Sequence, residues 1–284
     1  MRILQKKDIV LELGSGSSPW ARSDVLLDRY YIDETGQRGG EDIFVDRRPM
    51  VVAAGERLPF KDKAFDFIYC CHVIEHATDI VSMLDEMSRV AKAGFIECPN
   101  PLLERILDQD LHHWYITSVG NRLLIAPKTA ANNVTKPEDR FYFHLISIVN
   151  GYYWEHFVTR LSWTDRISYE VCDDVEKVFS SHTIPVDWEA EVQGRLASAL
   201  DKAKADLRKR RIYKAVRNSA IGGVIKQMKK WLRMRRTPRI TPEKFLSLLA
   251  CPDCRADLQR LDGRYRCVNC AREFPDSYGV SVLL

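Results

Sequence analysis

The feature that most constrains the fold of this chain is an apolar run ending in small residues, VLELGSG over residues 10–16. Its Val and Leu side chains suit a buried parallel strand, and Gly14, Ser15 and Gly16 suit a tight turn directly after it. Glycine has no Cβ, so the backbone of such a turn can approach a ligand closely. The next apolar run, DVLLD, ends on Asp28, a carboxylate that can accept both ribose hydroxyls. The two runs together predict a nucleoside pocket in an α/β sheet.

Short apolar runs alternate with helical patterns through residues 1–100. Residues 80–91 carry apolar side chains on one face at helical spacing. Alternating strands and helices predict an α/β fold with a doubly wound, Rossmann-like parallel sheet that binds ligands at the carboxyl ends of its strands. Late strands near RFYFHLI and RISYEV are expected to complete this sheet. The five predicted strands of the first hundred residues are VLEL, DVLLD, MVVAA, FDFIYCC and GFIECP.

A second stretch, LPFKDKAFDFIYCCHVIEH over residues 58–76, indicates the family. Its LPF, FD and EH signatures resemble the E-x-LPF / FD / EH group of class I S-adenosylmethionine-dependent methyltransferases, and the resemblance covers roughly residues 8–100. It implies S-adenosylmethionine as the cofactor. Ala54 stands where the family often has an Asp facing the adenine amine. Either the cofactor affinity is weaker for this reason, or Glu56 or a backbone carbonyl takes that task. The implied cofactor-binding residues are Glu12, Gly14, Ser15, Gly16, Asp28, Gly55, Glu56, Leu58 and Cys71.

The candidate catalytic residues are His72 and His76, which flank the end of the predicted fourth strand. The sulfonium is already activated, so methyl transfer depends mainly on in-line positioning of the nucleophile, although an oxygen nucleophile would benefit from a base. Alternatively, His76 only orders its loop. The H-x-x-E-H arrangement also resembles the metal-binding loop of some quinone-biosynthesis methyltransferases, where an acid replaces His72. A divalent metal is therefore a further alternative. His112, His113 and His144 are candidates for the lid side of the pocket.

Four cysteines near the C-terminus predict a structural zinc site. Cys251 and Cys254 form one CxxC pair, Cys267 and Cys270 form another, and twelve residues separate the inner cysteines. Four thiolates at this spacing give a closed tetrahedral site. The intervening LQRLDGRYR predicts a hairpin that turns at Asp-Gly. The pattern LLACPDC…CVNCAREFP…YGVSVLL resembles the small zinc-ribbon proteins that partner and stabilise some RNA and protein methyltransferases, which implies an intramolecular partner here.

Composition and charge bound the remaining possibilities. The other four cysteines are not distributed as in a disulfide framework. The chain is therefore expected in a reducing, cytoplasmic compartment, with peripheral membrane association as an alternative. No signal peptide or transmembrane segment is expected from the sequence. Net charge is only +4, yet residues 191–240 contain 16 Lys and Arg against 3 Asp and Glu. This basic amphipathic stretch is expected to be a helical connector that docks on the protein, or that uses residues 208–239 to bind an anionic membrane surface or RNA.

The sequence therefore predicts three segments. Residues 1–190 form the methyltransferase domain, including an aromatic-rich cap region at 101–165 that either packs a core or covers the substrate. Residues 191–240 form the basic connector, and residues 241–284 form the zinc ribbon. The predicted activity is O-methyl transfer to a small-molecule, sugar or lipid-linked acceptor. The alternatives are an RNA or protein methyltransferase that uses the ribbon and connector, and a catalytically inactive scaffold.

Overall fold

A computed structural model describes residues 4–33, 41–107, 109–129, 157–182, 237–277 and 280–284 of the chain. The helices of these residues are α1 (Ile80–Val90), α2 (Pro101–Leu107), α3 (Val175–Ser181) and α4 (Pro242–Leu248). The strands are β1 (Val10–Leu13), β2 (Val25–Asp28), β3 (Met50–Val52), β4 (Phe67–Cys71), β5 (Ala93–Pro99), β6 (Trp114–Val119), β7 (Arg122–Pro127), β8 (Val158–Thr164), β9 (Tyr169–Val171), β10 (Leu258–Leu261), β11 (Arg264–Cys267), β12 (Glu273–Ser277) and β13 (Val280–Val282).

The core of the molecule is a large mixed sheet with the strand order β10-β11-β12-β13-β3-β2-β1-β4-β5-β8. Strands β1 to β5 are mutually parallel, and β8 runs antiparallel to β5. All five strands predicted for the first hundred residues are present. Their apolar sequences follow from burial, because every residue of β1, β2 and β3 is buried. Because β1, β2 and β4 run parallel to one another, the turns that follow them meet at one edge of the sheet.

The predicted helix over residues 80–91 is confirmed as α1. The Asp79 side chain caps its first turn by accepting a hydrogen bond from the Ser82 backbone N–H at 3.0 Å. Its apolar face is buried in the core with β4 and β5. In contrast, residues 14–24 between β1 and β2 form turns without a helix. Gly14, Gly16 and Pro19 disfavour a helix there, so the described crossovers of the parallel sheet are less helical than a doubly wound fold predicts.

The late strands differ from the prediction. The sheet is completed by β8, with the sequence VTRLSWT, whereas RISYEV contributes β9 to a separate sheet of order β6-β7-β9. Strands β6 and β7 are antiparallel, and β9 pairs with β7 in parallel. Helix α3 packs on this second sheet. The RFYFHLI segment lies outside the described residues, as does much of the predicted cap region.

The C-terminal segment (residues 241–284) extends the main sheet. Strands β10 and β11 form the predicted hairpin, and Gly263 adopts a φ of +67° at its turn. Strand β12 pairs with β11, and β13 then pairs in parallel with β3, so that Val280 lies opposite Met50 and Val282 lies opposite Val52. The C-terminal segment is therefore hydrogen-bonded to the sheet that carries the predicted pocket. The three segment boundaries stay a prediction.

The predicted basic connector (residues 191–240) lies outside the described residues except for residues 237–240. At its end, Arg239 contacts Asp24 with a nitrogen–oxygen distance of 3.1 Å. None of the helices in the described part of the chain has the length and apolar composition needed to cross a bilayer.

Candidate cofactor and metal sites

The glycine turn (residues 14–16) is held tightly between β2 and the end of β4. Gly14 has a φ of +76° and Gly16 has a φ of +54°. The backbone N–H groups of Gly14 and Ser15 both donate to the Leu27 carbonyl, at 2.8 and 3.1 Å. A Cβ added to Gly14 would lie 2.2 Å from Cγ2 of Val73. Position 14 therefore requires glycine both for its backbone conformation and for its close approach to Val73.

Asp28 ends β2 directly beside the glycine turn. Its side chain accepts hydrogen bonds from Gly16 N–H at 2.9 Å and from Tyr30 N–H at 3.3 Å, one on each carboxylate oxygen. The residue is 8% exposed. The carboxylate is thus fixed against the glycine turn, at the place where the sequence predicts the ribose.

Glu12 organises the loop that follows the glycine turn. Both of its carboxylate oxygens lie 2.9 Å from the Trp20 backbone N–H, and the residue is only 5% exposed. Burial raises the pKa of Glu12 above its ordinary value. The Trp20 ring stacks on Tyr69 of β4 with a centroid separation of 4.5 Å. Sequence reasoning missed Trp20, and the signal that could have found it is an aromatic residue placed in a glycine-rich loop.

Glu56 links three parts of the pocket edge. Its Oε1 accepts a hydrogen bond from Thr78 N–H at 3.0 Å and pairs with Arg29 at 3.3 Å. Arg29 follows directly after Asp28, and Thr78 precedes α1. Glu56 therefore connects the loops after β2, β3 and β4, while Ala54 beside it is half-buried and offers no polar side chain.

Gly55 and Leu58 are packed into the core. A Cβ on Gly55 would lie 2.9 Å from Cε of Met83 in α1. The Leu58 side chain is buried, and its N–H donates to Glu86 of α1 at 2.8 Å. Their packing against α1 therefore positions the loop after β3.

Cys71 is the last residue of β4, and His72 follows it at the same edge of the sheet. Burial raises the pKa of Cys71 to about 11, which keeps it a neutral thiol. His72 adopts a φ of +55°, a strained conformation for a residue with a Cβ, and is 38% exposed. Its two ring nitrogens each lie 3.5 Å from a carboxylate oxygen, one of Glu75 and one of Glu97. Burial alone would lower the pKa of His72, but these two carboxylates raise it.

His76 has different surroundings from His72. Its Nδ1 lies 3.0 Å from the Leu111 carbonyl oxygen, and its ring packs edge-to-face on His112 at 4.5 Å between centroids. Burial lowers the pKa of His76. The backbone N–H of exposed His113 donates to the Glu75 carbonyl at 2.8 Å. His144 lies outside the described residues.

The four cysteines predicted to bind zinc converge. Their sulfur atoms all lie within 4.8 Å of one another, with Cys251 to Cys270 at 3.7 Å and Cys254 to Cys267 at 3.3 Å. A tetrahedral zinc ion with Zn–S bonds of about 2.3 Å requires sulfur–sulfur distances of about 3.8 Å. None of the four is in a disulfide. The donor set therefore fits a closed tetrahedral zinc site.

The two CxxC turns have the same backbone geometry. In each, the residue after the second cysteine has a positive φ, Arg255 at +60° and Ala271 at +58°. Each of these residues donates its N–H to the carbonyl of the first cysteine of its pair, at 2.8 Å for Cys251 and 3.1 Å for Cys267. The turns are thus matched, and they present their sulfur atoms to one point from opposite sides.

The cysteine site is tied directly to the predicted cofactor loop. Arg57 donates to the Pro252 carbonyl at 2.6 Å and pairs with Asp253 at 2.7 Å. Arg255 pairs at 2.9 Å with Glu86, the residue that also accepts the Leu58 N–H. Sequence reasoning missed this contact, because a charged residue between two cysteines does not identify its partner on the other segment.

Comparison with known proteins supports a methyltransferase domain in the first part of the chain. Residues 27–96 match the family model described as a methyltransferase domain, a range that runs from the end of β2 into β5. A protein of Methanocaldococcus jannaschii, described as uncharacterized, is 38% identical over 61 residues. That alignment covers 22% of this chain and 27% of the relative, so the chain matches about a quarter of the length of this curated relative.

Two solved structures show limited likeness. The YcgJ protein of Bacillus subtilis is 20% identical, with a TM-score of 0.28, covering 38% of this chain and 55% of that chain. A chain of the complex between the Haloferax volcanii Trm112 methyltransferase activator and its proposed methyltransferase is 15% identical, with a TM-score of 0.30, covering 40% of this chain and 64% of that chain. The assignment to a methyltransferase domain therefore rests on the family match over residues 27–96 and on the parallel sheet that contains it.

Proposed function

We propose that this protein is an S-adenosylmethionine-dependent methyltransferase that binds its cofactor at the carboxyl ends of β1 and β2. The observation that carries the proposal is the Asp28 carboxylate fixed against the glycine turn by the Gly16 N–H at 2.9 Å. The ribose hydroxyls would donate to Asp28, and the methionine end would lie along the turn that Glu12 supports through Trp20. The family match to residues 27–96 supports the same activity.

The proposed acceptor is a small molecule, a sugar or a lipid-linked intermediate that is methylated on oxygen. Support comes from the second sheet, which is anchored at the end of β4. Trp114 of β6 donates its ring N–H to the Ala77 carbonyl at 2.7 Å, directly after the turn that contains His76. The second sheet would then form one wall beside the proposed methyl group. His72 is the proposed catalytic base, because it is partly exposed at this edge and lies between Glu75 and Glu97.

We infer that the four cysteines hold a structural zinc ion and that the C-terminal segment is a zinc ribbon. The matched CxxC turns and their sulfur–sulfur distances support this. Zinc would provide folding energy to a segment too small to bury a large core of its own. Through the Asp253 contact with Arg57 and the Arg255 contact with Glu86, the ribbon would also stabilise the loop after β3.

Calorimetric titration of S-adenosylmethionine tests the cofactor site. Asp28→Ala removes a carboxylate that would accept two hydroxyl groups, and hydrogen bonds to charged groups contribute roughly 1.5–3 kcal/mol each. We expect the affinity to fall at least tenfold. Asp173→Ala, which removes an exposed carboxylate far along the chain, is the matched control and should bind as the wild type does. Equal affinity for the wild type and Asp28→Ala would overturn the assignment.

Transfer of a labelled methyl group tests the acceptor class. The protein is incubated with labelled S-adenosylmethionine and, separately, with a lipid extract, a small-metabolite extract, RNA and protein. Label in the lipid or small-metabolite fraction, reduced in His72→Asn, supports the proposal. Label in RNA or protein alone would replace the proposed acceptor by a macromolecule. Cofactor binding without transfer to any fraction would instead support a scaffold.

A further inference from the structure

A second cluster of possible metal ligands lies at the junction of the turn after β4 and the start of β6. Glu75, His76 and His112 each offer one ligand atom, and these three atoms lie within 4.8 Å of one another. Glu75 and His76 belong to a single 3₁₀ turn, whereas His112 comes from the segment just before β6. The cluster is separate in sequence from the four cysteines and contains no sulfur ligand.

Glu75 is the buried carboxylate of this cluster. The residue is 1% exposed, and within the part of the chain that the structure describes neither of its side-chain oxygens accepts a hydrogen bond. His72 Nδ1 lies 3.5 Å from Oε1, which is beyond good hydrogen-bond geometry. Burying an ionised carboxylate without compensation is costly, and a coordinated cation is one of the few arrangements that offsets the cost. The Glu75 carboxylate is therefore placed as a metal-coordinating group would be.

Both histidines have one ring nitrogen already occupied. His76 Nδ1 faces the Leu111 carbonyl at 3.0 Å, and His112 Nδ1 is hydrogen-bonded to the carboxylate of Glu104, which is fully buried. In known metal sites, a coordinating histidine donates its other N–H to a carbonyl or carboxylate, which sets its tautomer and ring orientation. Because these contacts occupy Nδ1 of each histidine, Nε2 is the nitrogen that would bind a metal ion. Lys128, 3.7 Å from Glu104, adds a positive charge on the outer side of this arrangement.

We propose that Glu75, His76 and His112 form a mononuclear site for a divalent transition-metal ion of the zinc type. Two imidazoles and one carboxylate favour zinc or a neighbouring first-row metal, whereas magnesium and calcium prefer oxygen ligands alone. Three protein ligands are one fewer than a closed structural zinc site has. The remaining coordination position would be filled by water or by an oxygen atom of a bound molecule.

The site would join two parts of the fold. Glu75 and His76 follow β4 of the main sheet, while His112 precedes β6 of the second sheet. The backbone already bridges them, since His113 N–H donates to the Glu75 carbonyl at 2.8 Å. A metal ion there would hold the second sheet at the edge where the cofactor and acceptor are proposed to meet. Metal binding itself does not depend on the proposed methyl transfer.

Zinc content of the full-length protein tests the proposal. The wild type and variants are equilibrated with excess zinc, dialysed against zinc-free buffer and analysed for zinc per chain. We expect the wild type to retain one zinc ion more than either Glu75→Gln or His112→Ala. His113→Ala alters the adjacent exposed histidine and should keep the wild-type content. Cys270→Ser should lose the other ion, and combining it with Glu75→Gln should remove both.

Circular dichroism of each variant distinguishes ligand loss from unfolding. Glu75→Gln preserves the side-chain shape, so its spectrum and its cysteine-bound zinc should match the wild type. A cobalt-loaded Cys270→Ser variant should show the ligand-field absorption of a nitrogen- and oxygen-coordinated ion, and this absorption should disappear in Cys270→Ser/Glu75→Gln. A wild type that retains only the cysteine-dependent ion, or a folded Glu75→Gln that loses none, would overturn the proposal.

Discussion

Replacing Gly14 with alanine tests how the glycine turn is held. Two costs add at this position. A residue with a Cβ at a φ of +76° loses roughly 1–2 kcal/mol in the left-handed region. The new Cβ would also lie 2.2 Å from Cγ2 of Val73, and Val is short and stiff at χ1. Forcing such a contact apart costs about 1–3 kcal/mol, so Gly14→Ala should reduce the free energy of unfolding by about 2–5 kcal/mol.

Urea unfolding followed by circular dichroism measures this effect, and the chain offers a matched control. Gly120 has a φ of +61°, and apart from its chain neighbours no atom of the described residues lies within 4 Å of the position that a Cβ would take there. Gly120→Ala should therefore show only the backbone cost. The double variant Gly14→Ala/Val73→Ala removes the contacting methyl groups and should destabilise less than the sum of the two single substitutions. An equal loss in Gly14→Ala and Gly120→Ala would refute the close packing of the glycine turn on Val73.

Three further predictions concern the C-terminal segment and the connector. Cys254→Ser should release zinc and unfold the C-terminal segment, which elemental analysis and limited proteolysis would detect; retained zinc would contradict the cysteine site. Burial alone would raise the pKa of Glu86, but Arg89 and Arg255 hold it below its ordinary value. Its stabilising contribution is therefore present above the ordinary pKa of a glutamate and is lost as the pH falls through the lowered pKa. Urea unfolding should show Glu86→Gln to be less stable than the wild type near neutrality, with a difference that shrinks in acid. A pH-independent difference would contradict this network. If the connector binds anionic lipid, its sedimentation with anionic vesicles should weaken as the salt concentration rises. Sedimentation should also weaken in a variant with five cations changed to Gln, which are Lys229, Lys230, Arg233, Arg235 and Arg236. Retention on RNA without vesicle binding would favour RNA as the partner.

The parts of the fold that the sequence predicted are those set by local patterns. Strands β1 to β3 are buried along their whole length, so each is a short apolar run that stands out from its surroundings. The buried face of helix α1 is predicted by apolar residues at helical spacing. The β10–β11 hairpin turns at an Asp-Gly pair whose glycine has a positive φ. The CxxC spacing likewise predicted which cysteines converge.

The parts that were missed depend on distant partners. The parallel pairing of β13 with β3 joins residues more than two hundred positions apart. The short apolar sequence of β13 does not identify the strand with which it pairs. Strand β8 was interpreted only as part of an aromatic-rich region, because Trp163 suits a core equally well in several folds. His112 approaches Glu75 and His76 only through the packing of the second sheet, so sequence spacing could not distinguish it from His113.

A crystal structure of the protein grown with S-adenosylhomocysteine tests the proposed cofactor site most directly. We expect the ribose hydroxyls within hydrogen-bond distance of the Asp28 carboxylate, the adenine beside the loop of residues 55–58, and the amino-acid end along the glycine turn. The sulfur atom should then point toward the end of β4, near His72. Ligand density at another place, or an empty glycine turn at saturating ligand, would contradict the proposed site.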